Sequence, residues 1–328
     1  LFSNRFDEPR GQKRKQIRAN TAMPRPPLPT LRTATVAKPE STLAPAKVNL
    51  TLRIFGRRAD GFHELESLVA FAPFGDRLTL WPDGSLDLKV SGPMAAGAGP
   101  LADNLVLRAA RALAERIEGL TLGRFVLFKQ LPSGAGLGGG SADAAAALRL
   151  IAKTNGLGLD DRRIHEAACA TGADIPVCLD PRPRVMRGVG EILSAPMVLP
   201  KLGILIVHPG LALPTGPVFK ALGLAPGEQY AKAPSSSPSS AAPDRDALLA
   251  WLASERNDLE RAAISIAPQI SDILSAIAGL AECRLARMSG SGSACFGLFD
   301  SAQAAMAAAT HLTAARPSWW VRAGPLRS

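Results

Sequence analysis

The chain has 328 residues, 47% hydrophobic and 20% charged, with a formal net charge of +10. That length can bury a substantial core and favours two domains, and no run reaches the roughly eighteen uninterrupted apolar residues of a membrane span. The four cysteines (Cys169, Cys178, Cys283, Cys295) form no CxxC pair and no metal-type spacing with histidine. A disulfide scaffold and a zinc ribbon are therefore set aside, and buried thiols in a reducing, cytoplasmic setting are expected.

The charge is unevenly spread. Residues 1–42 hold nine Lys/Arg against three acids, so +6 of the +10 belongs to this segment. The folded remainder is nearly balanced, which argues against a nucleic-acid partner. Residues 10–29 are polar, proline-rich and aperiodic, and are read as a disordered basic extension covering 1–42. They lack the apolar centre of a secretory signal, and Asp7 and Glu8 do not suit a transit peptide. The chain opens on Leu1 and its first methionine is Met23, so initiation near Met23 is expected.

Folded sequence is expected from about Leu43. Residues 47–55 alternate like a strand, and 56–61 form a polar turn. Strands follow over 63–74 and 76–81 and, after a turn at 82–84, over 86–90. Asp103 has the place of an N-cap for a helix striped by Leu105, Ala109, Leu113 and Ile117. An apolar strand at 124–131 and an alanine-rich helix at 142–153 flank a glycine-rich turn. Next come a helix over 161–170, a strand over 198–207 and a flexible low-complexity insertion at 231–243. Helices over 246–254, 258–266 and 269–280, a strand over 294–299 and a helix over 301–314 complete the pattern. His165 and His311 fall on helix surfaces. The class is α+β, with two domains joined near residue 200.

The most informative stretch is the turn itself: Pro132, Ser133, Gly134, Ala135, Gly136, Leu137, Gly138, Gly139, Gly140, Ser141 and Ala142. Bare backbone between a strand and a helix lets N–H groups close around an anion, and the helix N-terminus adds positive partial charge; phosphate is the usual anion. No lysine follows the glycines, so a Walker A loop is excluded. Gly134, Gly136 and Gly139 do satisfy GxGxxG, with Asp160 near the place of a ribose-binding acid. In a dinucleotide fold that acid ends a second strand, whereas residues 155–161 lead directly into a helix. Asp160 and Asp161 are expected to cap it.

Pro132, Gly136, Leu137, Gly138, Ser141 and Ala142 match PxxxGLGxxS[SA]. On that pattern the chain resembles the GHMP kinase family, which includes galactokinase, homoserine kinase, mevalonate kinase and phosphomevalonate kinase. Two more segments agree: Pro45-Ala46-Lys47-Val48-Asn49-Leu50 with Arg57 to His63, and Met288-Ser289-Gly290-Ser291-Gly292. The resemblance spans about 43–325. It implies a two-domain fold, with an N-terminal ribosomal-protein-S5-like, ATP-binding domain over 43–200 and a C-terminal ferredoxin-like domain over 201–325. The active site is expected in the cleft between them.

PAK[VLI]NL combined with RxDG[YF]H is the pattern of the member that phosphorylates the 2-hydroxyl of 4-diphosphocytidyl-2-C-methyl-D-erythritol in the non-mevalonate isoprenoid pathway. That reaction is the expectation; homoserine, mevalonate or a sugar is the alternative acceptor. The resemblance implies Lys47 and Asp174 as catalytic residues and Pro132 to Ala142 as the ATP loop. Asn49, Phe62, His63, Thr215, Phe219, Gly290 and Gly292 are implied on the substrate, with Phe62 and Phe219 as aromatic faces and His63 on the base edge. ATP and Mg²⁺ are the implied cofactors, with no acidic cluster marking metal ligands. Asp143, where relatives often carry asparagine, is expected to turn from the triphosphate or face Mg²⁺. A small-molecule cytidyl diphosphate alcohol is the expected partner, without nucleic acid or membrane, for a monomer or weak homodimer.

Overall fold

The computed structural model describes residues 38–83, 85–230 and 243–328. The expected extension and insertion thus lie outside the described residues apart from 38–42 and 243, as does Gly84 of the 82–84 turn. Folded structure begins earlier than expected, because Glu40 to Thr42 already pair with Leu80 to Leu78.

The first sheet is organised by one long strand. Its strands and helices run β1 (Glu40–Asn49), β2 (Arg53–Arg57), β3 (His63–Trp81), β4 (Asp87–Ser91), α1 (Leu105–Ala114), β5 (Arg124–Phe128), α2 (Gly139–Thr154), α3 (Arg162–Thr171), α4 (Ile175–Leu179), β6 (Arg184–Gly188) and β7 (Ile192–Leu193). Antiparallel partners flank β3: β1 and β2 on one edge, β5 and β6 on the other. β4 adds parallel to β5, and β7 pairs with β6.

The two strands expected over 63–81 are one, since β1 pairs along it from Val69 to Leu80 and keeps the chain extended past Pro73 and Gly75. A Cβ at Gly75 would lie 2.0 Å from the Ala44 carbonyl oxygen, so only glycine allows β1 this close. The strand expected over 47–55 is instead two. The Leu52 N–H bonds to the Arg256 carbonyl, and that crossing ends β1 at Asn49. Helix α1 is capped by Asn104, whose Oδ1 accepts from the Val106 N–H at 3.0 Å; Asp103 belongs to the preceding 3₁₀ turn. Asp161 caps α3 as expected.

The second sheet comes from β8 (Gly203–His208), α5 (Thr215–Lys220), α6 (Arg245–Ser254), α7 (Glu260–Ile266), α8 (Gln269–Ala278), β9 (Cys283–Met288), β10 (Cys295–Phe299), α9 (Ala302–Ala315) and β11 (Trp320–Pro325). Its order is β11-β8-β10-β9, all antiparallel. The sequence pattern missed β6, β9, β11 and the short α4 and α5, because these strands carry arginine, tryptophan and proline in place of clean alternation.

Period-two alternation joins the two sheets. Val69 and Phe71 face the helix side, together with Ala145 to Leu148 of α2. Their neighbours Leu68 and Ala70 face the other way, into a core shared with Ile204, Ile206, Phe296 and Leu298 of the second sheet. That shared core makes the described residues one compact unit. It also sets the glycine-rich turn before α2 against the 288–294 turn of the second sheet.

Candidate active site

A cavity of about 920 Å³ opens where these turns meet, lined by β1, the start of β3, the 132–141 turn, Asp174, α5 and the Gly290–Ser291 turn. Gly134, Gly136 and Gly138 take φ of 64°, 73° and 62°, a left-handed region costly for other residues. A Cβ at Gly136 would lie 2.3 Å from the Ser289 carbonyl oxygen, and one at Gly138 3.1 Å from Lys47 Cε. The N-cap of α2 is Gly138, so no side chain satisfies the first-turn N–H groups of this sixteen-residue helix. These groups line the cavity and suit a polyanion.

Lys47 and Asp174, far apart in the chain, meet here. Lys47 Nζ lies 2.9 Å from Asp174 Oδ2 and donates to Asn49 Oδ1 at 3.2 Å. The Lys47 N–H also bonds the Leu137 carbonyl, tying β1 to the glycine turn. Asp174 occupies the N-cap of α4 but caps nothing with its side chain, so its carboxylate is free to face Lys47. Lys47 is almost wholly enclosed, whereas the Asp174 side chain is 38% exposed toward the cavity.

At the other end, His63 and Phe219 hold their rings 4.7 Å apart at 42°. Burial, aided by the Arg57 charge, lowers the His63 pKa, which favours the neutral imidazole; its Nε2 is buried without a protein partner. Phe62 stands on the rim, 59% exposed. Thr215 Oγ1 and Ser291 Oγ are 3.0 Å apart across the mouth.

Most of the residues expected at the site line this cavity: Lys47, Asn49, Phe62, His63, Pro132 to Ser141, Asp174, Thr215, Phe219 and Gly290. Two do not. Ala142 is fully buried inside α2, and its N–H is spent on the Gly138 carbonyl. Gly292 packs inward, where a Cβ would press on Met288 Sδ at 2.7 Å. Asn49 faces the cavity with its side chain already engaged, its Nδ2 donating to Ser67 Oγ at 2.7 Å.

The sequence reading overlooked a second lysine–aspartate group on the cavity floor. Lys129, taken as part of an apolar strand, donates to Asp143 Oδ2 at 2.8 Å and to Asp76. Asp76 also accepts from the N–H groups of Gln130 and Leu131, just before the glycine turn. Asp143 therefore turns onto a lysine. Burial, reinforced by the Asp76 charge, pushes the Asp143 carboxyl up to about 7 against the pull of Lys129. Burial works against the Lys129 ammonium, but the two carboxylates outweigh it and raise its pKa. Gly97, Ala98, Asp103, Asn104 and Leu105 also line the cavity; of these Asp103 was read as a cap and Leu105 as part of the helix stripe. No three His, Cys, Asp or Glu gather to hold a metal among the described residues.

The chain is similar to known proteins over most of its length. Residues 104–180 match the family description "GHMP kinases N terminal domain", and residues 239–316 match "GHMP kinases C terminal". The chain is 57% identical over 286 residues to the 4-diphosphocytidyl-2-C-methyl-D-erythritol kinase of Xanthobacter autotrophicus, covering 87% of this chain and 98% of that one. The enzyme of that name from Methylobacterium radiotolerans is 57% identical over 280 residues, covering 85% and 96%. A crystal structure of 4-(cytidine 5'-diphospho)-2C-methyl-D-erythritol kinase superimposes with a TM-score of 0.70 at 34% identity, covering 88% of this chain and all of that one. The homoserine kinase of Cytophaga hutchinsonii shares the fold at 19% identity, with a TM-score of 0.57.

Proposed function

The chain belongs to the GHMP kinase family, among the 4-diphosphocytidyl-2-C-methyl-D-erythritol kinases, and from that membership we propose how its own residues carry the reaction. It is an ATP-dependent small-molecule kinase that phosphorylates the 2-hydroxyl of 4-diphosphocytidyl-2-C-methyl-D-erythritol. The observation that carries the residue assignment is the Lys47–Asp174 pair at 2.9 Å beside an uncapped glycine nest.

In this reading the N–H groups of 132–141 hold the ATP phosphates. Phosphoryl transfer asks the protein chiefly for positioning and charge stabilisation. The acceptor hydroxyl sits at the open side of Asp174. As its oxygen bonds to the γ-phosphorus, the proton passes to the carboxylate, the bond to the leaving oxygen breaks and ADP departs. Lys47, anchored by Asp174 and Asn49, keeps a third N–H for the charge building on the transferred group.

The cytidine is held by Phe62 through stacking and by His63 at the base edge, with Phe219 supporting the His63 ring. Residues 43–200 hold the nucleotide, and 201–325 complete the acceptor end with Thr215 and Gly290. Mg²⁺ fits no carboxylate cage here, since Asp174 is engaged by Lys47 and Asp143 by Lys129. It belongs to the substrate, arriving on the triphosphate.

One chain supplies every group named, so a monomer or weak dimer suffices. Cys178 and Cys295 are buried as expected, whereas Cys169 is exposed and Cys283 half-buried; four free thiols suit the cytoplasm. Release of ADP, coupled to an indicator reaction, tests the reading across candidate alcohols. Turnover is expected on the cytidyl substrate; activity on homoserine or mevalonate without it would overturn the assignment.

A further inference from the structure

The amide of Asn49 is clamped from both ends. Lys47 only donates, so it requires the amide oxygen, which lies 3.2 Å from its Nζ. On the far side Ser67, fully buried in β3, gives its own hydroxyl proton to the Thr51 carbonyl at 2.5 Å. A carbonyl can only accept, so toward Asn49 the Ser67 oxygen is left as an acceptor, and it takes the Nδ2 hydrogen at 2.7 Å. The Asn49 main-chain N–H goes to Ser289 Oγ at 3.2 Å, and Ser289 donates to the Gly136 carbonyl of the glycine turn at 3.1 Å. One buried chain of hydrogen bonds thus runs from β3 through Asn49 to the ammonium, and a branch reaches the phosphate nest.

We propose that Ser67 is a positioning residue for phosphoryl transfer: by accepting from Asn49 it locks the amide so that its oxygen holds the Lys47 ammonium against Asp174. Ser67 lies outside the cavity lining and acts only through Asn49. Without its oxygen, the Asn49 NH₂ loses its buried partner and the amide is free to rotate. Lys47 then loses one of the two acceptors that aim its third N–H. The inference rests on the proposed role of Lys47.

The test compares Ser67→Ala, Ser67→Thr, Asn49→Ala and the double variant Ser67→Ala/Asn49→Ala with the parent, by steady-state kinetics and thermal unfolding. Parent turnover on the cytidyl substrate comes first, because its absence would remove the functional reading rather than this one. Ser67→Ala is expected to lower kcat roughly 10- to 100-fold, with KM for ATP within about threefold. Ser67→Thr should recover most of that loss, since it restores the acceptor. The double variant should be no slower than Asn49→Ala alone, because both changes cut one path. If Ser67→Ala slows the enzyme further in the Asn49→Ala background, or merely lowers the unfolding temperature with kcat intact, the positioning role falls.

Discussion

Lys47 with Asp174, and Lys129 with Asp76 and Asp143, use the same two side-chain types in surroundings that differ chiefly in access. In the first group the lysine is 4% and the aspartate 38% exposed; in the second the three side chains are 5%, 0% and 4% exposed. An ion pair with one open carboxylate can share it with an incoming hydroxyl. A closed trio cannot, and its geometry instead ties β3, the start of the glycine turn and the second turn of α2 together. Residue type alone would not separate the two, whereas burial does, because the cost of removing a charge from water decides whether a group is free to exchange partners.

The sharpest way to break this contrast is Asp174→Asn. A loss of roughly 10²- to 10⁴-fold in kcat, about 3–5 kcal/mol, is expected, with little change in ATP affinity. The urea midpoint should fall only modestly, since the Asp174 carboxylate is solvated and the enclosed Lys47 ammonium keeps Asn49 as an acceptor. Turnover within threefold of the parent would end the catalytic role.

Lys129→Met should behave in the opposite sense. It strands two aspartates in the interior without their cation, so a stability loss on the order of 3–5 kcal/mol is expected in urea unfolding at neutral pH. The kcat per folded molecule should fall far less than in Asp174→Asn, and a parent-like midpoint would show the trio to be dispensable.

Phe62→Ala probes a rim residue. Base–aromatic stacking is worth about 1–3 kcal/mol, so KM for the cytidyl substrate should rise roughly 5- to 100-fold with KM for ATP steady. An unchanged KM would move the base elsewhere.

Two further effects are pH-dependent and opposite in sign. The folded protein keeps the Asp143 proton up to about 7, whereas the unfolded chain releases it near 3.8. Stability from this group is therefore present below the unfolded value and lost as pH rises through 7. Asp143→Asn should flatten that loss in unfolding midpoints taken from pH 5 to 8. His208 is held down to about 4 by burial, against 6.5 when free, and its Nδ1 accepts from the Gly210 N–H. Its contribution is present above 6.5 and lost as pH falls through 4. His208→Asn, which keeps an acceptor without titrating, should reduce the acid sensitivity. Slopes identical to the parent in both variants would show that neither group governs it.

Much of the site could be read from the chain because it is local. The nest is a run of glycines between a strand and a helix, and Phe62-His63 follow a tight turn; neither needs distant contacts to be recognised. The floor trio was missed because Lys129 interrupts an apolar strand only once and Asp76 lies half a domain earlier. Gly292 was misplaced because a glycine can be required by packing, here under Met288, as well as by a ligand. Strands β9 and β11 gave no periodic signal because each borrows its apolar surroundings from β8, β10 and the helices across them.

By itself the sequence determined a turn of bare backbone suited to a polyanion, since missing side chains are a property of the residues and not of their neighbours. It also determined the alternation that gives each sheet two apolar faces. Only the tertiary structure decided that Lys47 meets Asp174 while Lys129 is sealed beneath them, and that Ser67 reaches the ammonium through Asn49. Those outcomes depend on which strands share the core between the sheets, and burial, which sets the reactivity of every charge here, exists only once that core has formed.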